Sequence, residues 1–167
     1  MSRLDFLLEQ YQWTDKWTNS IIEDIEEAHW GYIDEAGTSI NWLFGHQVIS
    51  KYFHSIISIL KADGVLVRDL NKEIPLETYF KYYFAGSDPR ADWKQRPGKE
   101  ELMRHWNLLC NVCTEMIPLL NEPGLDSETE IKNPVAKTKY EALAFTFKHQ
   151  MWHNGQIAMV KRILRNQ

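Results

Sequence analysis

His149 and His153 stand four residues apart in Lys148-His149-Gln150-Met151-Trp152-His153-Asn154-Gly155-Gln156. On a helix this spacing puts both side chains on one face, with Cβ atoms about 5–6 Å apart, so two imidazoles can point at one centre. Two imidazoles make half a metal site. A divalent ion such as zinc or nickel takes at least a third protein ligand, and catalytic sites commonly stop at three and leave a position for water. His pairs at this spacing also occur on surfaces and in satisfied cores, so the source of a third ligand decides what the pair is for.

The apolar periodicity predicts the elements that must position these rings. Ser2 with Asp5 forms a capping pattern, and Leu4, Leu8, Tyr11, Asp15, Thr18, Ile22 and Ile25 follow at heptad spacing, which predicts a first helix ending near Gly31. Tyr11, Asp15 and Thr18 on that core-facing seam cost desolvation unless they are partnered or face a wet cavity, which predicts a pocket wall. A second helix begins near Ser39, carries the stripe Trp42, His46, Ile49, Phe53, Ile56 and Leu60, and ends at Gly64. From Asp63 to Pro97 three prolines interrupt the pattern, with a short helix expected only near Thr78 to Phe84. A third helix opens around Pro97 to Glu100, runs through Leu102, Trp106, Leu109, Cys113, Met116 and Leu120, and ends at Pro123-Gly124. The fourth starts from a Thr138–Glu141 capping box and carries Ala142, Thr146, His149, His153, Gln156, Val160 and Ile163 along one stripe.

Four helices of about 24–28 residues each predict an all-α four-helix bundle over residues 1–167 as a single domain, with a long, partly helical connection between the second and third. That connection is long enough to run back along a whole helix. Both an up-down-down-up and an up-down-up-down order are compatible with it.

His46 answers the opening question, because it occupies the core-facing stripe of the second helix as His149 and His153 occupy that of the fourth. The expected metal ligands are His46, His149 and His153. Neutral imidazoles suit zinc, nickel, copper or ferrous iron, and a three-His site with open positions suits Lewis-acid work on a bound water or thiol. His54 lies eight residues beyond His46, about 12 Å along a helix axis, and is read as structural; His29 and His105 are read as solvated or locally bonded. Cys110 and Cys113 fall in mid-helix, away from the helix N-terminus that a reactive Cys-x-x-Cys pair uses, and are read as buried small residues.

Composition narrows the partners. With 44% apolar residues and 13% aromatics, including 7 Trp, the chain can build a full core. The net charge of −4 comes without a Lys/Arg run, which argues against nucleic acid as a partner. No apolar run approaches the roughly 18 residues of a membrane span, and the start has no signal-peptide pattern, so the expectation is a cytoplasmic protein with no membrane partner.

Asn41-Trp42-Leu43-Phe44-Gly45-His46, together with His149-x-x-x-His153-x-Gly155-Gln156 and the Asp92-Trp93-x-x-Arg96-Pro97 segment, resembles the DinB/YfiT-like metalloenzyme family (the DinB superfamily) along nearly the whole chain. The resemblance implies an up-down-down-up bundle, frequent homodimers, and a zinc or nickel ion held by three His with water completing the sphere. Relatives include low-molecular-weight-thiol S-transferases, mycothiol-dependent isomerases and proteins labelled metal-dependent hydrolases. One departure stands out: relatives often have Arg after the last His, where this chain has Asn154.

Two functions follow as expectations. In the first, a metal enzyme activates a low-molecular-weight thiol or water toward a small-molecule substrate, as an S-transferase or hydrolase, with Asp15, Tyr11 and Gln47 as candidates to orient the activated group. In the second, the chain is a non-catalytic, metal-binding stress-response dimer, suggested by a fourth helix that is apolar on several faces.

Overall fold

The computed structural model describes residues 1–91 and 93–165; Asp92 of the Asp92-Trp93-x-x-Arg96-Pro97 segment lies outside them. The described residues are all-helical. The α-helices are α1 (Arg3–Glu23), α2 (Ile40–Tyr52), α3 (Val65–Glu73), α4 (Leu76–Tyr83), α5 (Lys99–Met116) and α6 (Lys139–Leu164), and a π-helical turn at Phe53–Ile57 continues α2. The nearest approach to a sheet among them is two isolated antiparallel bridges, Ile33 with Ser39 and Glu128 with Thr138. No described helix is long and apolar enough to cross a membrane.

Both expected capping boxes form, Ser2 with Asp5 and Thr138 with Glu141, so each of these helices starts where its orphan N–H groups find side-chain acceptors. Helix ends depart further from expectation. The first helix stops at Glu23 because the chain folds back to bury Ile25 and Trp30, the latter against Phe44, with ring centroids 5.9 Å apart. The second gives way to the π turn and then to bends, so Gly64 caps the start of α3 instead of closing α2. The third shortens to a 3-10 turn at Ile117–Leu119, because Pro118 has no N–H to continue the ladder. Between Asp63 and Pro97 there are two helices where one was expected, since Pro75 separates α3 from α4.

α1 packs against α5 and α6, and α2 packs against α4, α5 and α6. The buried apolar side chains of these elements form one cluster that includes Leu7, Ile22, Phe44, Leu109 and Ile157. Each such residue contributes about 1.5–3 kcal/mol on burial, which makes this cluster the main force holding the helices together.

The polar residues on the α1 seam are buried and partnered, and Asp15 also lines an open hollow between α1 and α5. The Lys51 ammonium meets Asp15 Oδ1 at 2.6 Å with almost no exposure, and Gln150 Nε2 donates to the same oxygen at 2.9 Å and to Thr18 Oγ1 at 2.8 Å. Tyr11 Oη lies 2.7 Å from Ser55 Oγ and donates to the Leu143 carbonyl. Asn154 Nδ2 donates to Thr18 Oγ1 at 2.9 Å, so in this chain Asn154 is spent on joining α6 to α1. Hydrogen-bonded in this way, the polar seam escapes the penalty of unpaired burial.

Candidate metal centre

α2 and α6 bring His46, His149 and His153 together, with their ligand atoms all within 4.8 Å of one another. The Nε2 atoms converge: His46 to His149 at 3.2 Å and His153 to His149 at 2.9 Å. Three imidazoles bound tetrahedrally at about 2.0–2.1 Å would have nitrogens roughly 3.3 Å apart. The rings therefore already stand near ligating distance.

Each ring turns its other nitrogen to an oxygen. His46 Nδ1 donates to the Tyr83 carbonyl at 2.7 Å, His149 Nδ1 lies 3.1 Å from Ser50 Oγ, and His153 Nδ1 pairs with Gln156 Oε1. A carbonyl can only accept, so the hydrogen of neutral His46 sits on Nδ1 and its Nε2 lone pair faces the other two rings. Gln156 Oε1 only accepts, so the same holds for His153. The Ser50 hydroxyl can accept from His149 Nδ1–H as metal binding requires, and three lone pairs then meet at one point, which a cation between them stabilises, with outward Nδ1–H bonds as the usual orienting shell of metal-bound histidines.

Burial depresses all three pKa values: His46 falls, His149 falls to about 3 with the neighbouring His153, His46 and His54 adding to the effect, and His153 falls to about 4. The rings are neutral at pH 7 and available as ligands.

The quoted motifs acquire physical roles here. Trp42 stacks on His46 (4.9 Å, 9°), Phe145 on His149 (5.0 Å, 26°) and Trp152 on His153 (5.8 Å, 8°), so each ring is held flat by an aromatic neighbour. Gly45 lets the Tyr83 ring lie against α2, which puts the Tyr83 carbonyl beside His46. Asn41 accepts from Tyr83 Oη at 3.0 Å and donates to the Pro97 carbonyl at 2.9 Å. Trp42 Nε1 donates to Ser87 Oγ, and Arg96 donates to the carbonyls of Asp88, Pro89 and Ala91. The sequence reading missed Ser50, Tyr83 and Gln156 as orienting groups. Gln156 alone carried a signal, as the polar residue three after a candidate ligand.

The other candidates stand elsewhere. Tyr11 and Asp15 are engaged in the buried network and make no hydrogen bond to the three imidazoles. Gln47 is buried, and neither end of its amide has a hydrogen-bond partner among the described residues. His105 is buried against Tyr79 Oη at 2.7 Å. Cys110 and Cys113 are free thiols whose pKa values burial pushes up, that of Cys113 to about 12, so neither supplies a thiolate near neutral pH.

An apolar cavity of about 130 Å³ opens beside His46 and His149. His54, expected to be structural, lines this cavity, with its Nδ1 2.8 Å from Asn133 Nδ2.

The chain matches no protein-family model and no curated protein.

Proposed function

We propose that this chain is a DinB/YfiT-like metalloenzyme of four-helix-bundle architecture, holding zinc or nickel through His46, His149 and His153. The observation that carries this reading is the convergence of three Nε2 atoms with every Nδ1 turned outward to an oxygen. A divalent ion there supplies Lewis acidity, lowering the pKa of a bound thiol or water to near neutrality. The chain's own part is to keep three rings neutral, to fix them through Tyr83, Ser50 and Gln156, and to offer an apolar cavity on one side.

The contacts between helices support the up-down-down-up order. α1 meets α6 in the same chain sense (Tyr11 with Leu143, Thr18 with Asn154), as α2 meets α5 (Asn41 with Pro97, Lys51 with Trp106). α1 meets α2 in the opposite sense, Tyr11 with Ser55 and Asp15 with Lys51.

The reaction we favour is S-transfer, in which the sulfur of a low-molecular-weight thiol loses its proton, forms a bond to an electrophilic carbon, and the leaving group departs with the bonding electron pair. Hydrolysis by water at the same centre is the neighbouring case. A cytoplasmic location belongs to the same proposal, in keeping with free Cys110 and Cys113. Assay of zinc- and nickel-loaded protein with a panel of small thiols and electrophiles, and with activated esters, tests it. Metal-dependent turnover that disappears in His149→Ala is the expected result.

A second reading, a non-catalytic metal-binding homodimer, is favoured by exposed Trp152 and Met159 on α6 and Trp13 and Trp17 on α1. Inactivity toward every substrate in the panels, with metal bound, would select it.

A further inference from the structure

The cavity beside His46 and His149 has a second polar wall that the metal does not use. His54 stands in the π turn Phe53–Ile57, a wider turn of the kind that recurs at functional sites, and lines the cavity together with Phe84, Val135 and Phe145, its ring packed edge-on against Phe145 at 4.8 Å. The hydrogen bonds around it fix its tautomer. The Val135 main-chain N–H donates to Asn133 Oδ1 at 3.0 Å, so the other end of that amide, Nδ2, faces His54 Nδ1 at 2.8 Å and Ser58 Oγ at 2.9 Å. An amide nitrogen only donates, hence His54 Nδ1 accepts and the hydrogen of the neutral ring lies on Nε2. That N–H bonds no group among the described residues. It is not among the side-chain donors sealed from solvent without a partner, so water reaches it, and a ligand acceptor would take the place of that water with a net gain of about 0.5–1.5 kcal/mol.

The size and lining of the cavity define what fits. At about 130 Å³ it is close to the roughly 150 Å³ apolar cavity known to take up benzene. Among the described residues no Lys, Arg, Asp or Glu lines it, so a charged group seated there would lose its hydration without compensation.

We propose that this cavity receives the uncharged apolar portion of the substrate, of about one six-membered ring, and that His54 Nε2–H donates a hydrogen bond to an oxygen or nitrogen acceptor on it. The inference rests on the metal-centre reading only in calling the ligand a substrate. The cavity and the donor are independent of the ion.

The test compares acetophenone with ethylbenzene, which has the same outline without the acceptor, by NMR titration of the full chain, both metal-free and zinc-loaded. Both probes are expected to shift the Val135 and Phe145 resonances in both forms, with acetophenone binding about five- to tenfold more tightly, the scale of one hydrogen bond. In His54→Phe that preference disappears while ethylbenzene still binds. A long-range proton–nitrogen correlation on the wild type, which needs no variant to fold, shows the Nε2–H tautomer. Failure of both probes to bind, equal affinities in the wild type, an undiminished preference in His54→Phe, or a Nδ1–H tautomer would each overturn the inference, even with zinc bound. A protein that shows the acetophenone preference but takes up no metal would overturn the metal-centre reading and leave the cavity assignment standing.

Discussion

Gly45 and Tyr83 are in contact closer than any side chain would permit: a Cβ at Gly45 would stand 2.3 Å from Tyr83 Cε1. The contact lets α4 lie directly on α2, and it delivers the Tyr83 carbonyl to His46 Nδ1 at 2.7 Å. One methyl group at position 45 therefore disturbs both packing and site. Gly45→Ala is expected to cost at least about 1–3 kcal/mol, the range for overpacking, and to weaken metal binding. Gly155, which has open space where a Cβ would go, is the control, because Gly155→Ala within α6 should raise stability by about 0.5–1 kcal/mol. Urea denaturation of both variants measures this, and equal stability of the two would contradict the packing argument.

Lys51 and Asp15 form an ion pair inside the core, with the ammonium also lying over the Tyr11 and Trp106 rings, each 4.7 Å to the centroid. Removing one partner strands the other. Lys51→Met and Asp15→Leu should each destabilise by about 3–5 kcal/mol, whereas the double variant should recover a large part of the loss. Additive losses in chemical denaturation would show that the pair is not coupled.

The three imidazoles of the site, with His54 beside them, give stability a defined pH dependence. Folded pKa values of about 3 for His149 and about 4 for His153 and His54, with His46 also lowered, lie below the ordinary value of 6.5. Lowered values mean that the unfolded chain binds protons first as pH falls. Stability of the metal-free protein is then full above pH 6.5 and declines as pH drops toward 4, with a slope of up to about 1.4 kcal/mol per pH unit for each group that titrates. A flat denaturation profile between pH 7 and pH 4.5 would contradict this.

Gln156 holds His153 from outside the ligand set. Gln156→Ala should lower zinc affinity by about 10- to 100-fold without removing a ligand, read by competition with a chromogenic chelator. An unchanged affinity would mean that the hydrogen bond does not orient the ring.

Much of the site was legible in the sequence because a helix converts spacing into direction. His149 and His153 share a face by periodicity alone, and His46 follows from its place on the α2 stripe. Groups that act through the main chain left no such trace: the Tyr83 carbonyl reaches His46 only because Gly45 admits α4, a fact of three-dimensional packing. The partners of Asp15 and Thr18 left no such trace, because a seam position does not reveal whether side chains such as Lys51 and Gln150 will meet it. His54 was read as too far along the helix to share a metal with His46, and it stands outside the group of three imidazoles, hydrogen-bonded to Asn133 and packed on Phe53 and Phe145. Helix ends shifted where Pro118 or the burial of Ile25 and Trp30 overrode the stripe.

The most direct measurement is zinc content after dialysis, for the wild type and for His46→Ala, His149→Ala and His153→Ala, combined with X-ray absorption at the zinc edge of the wild type. One zinc per chain, three imidazole nitrogens at about 2.0–2.1 Å and loss of the metal in each variant is the predicted result. Wild type without zinc or nickel, or metal retained in any of the three variants, would contradict it.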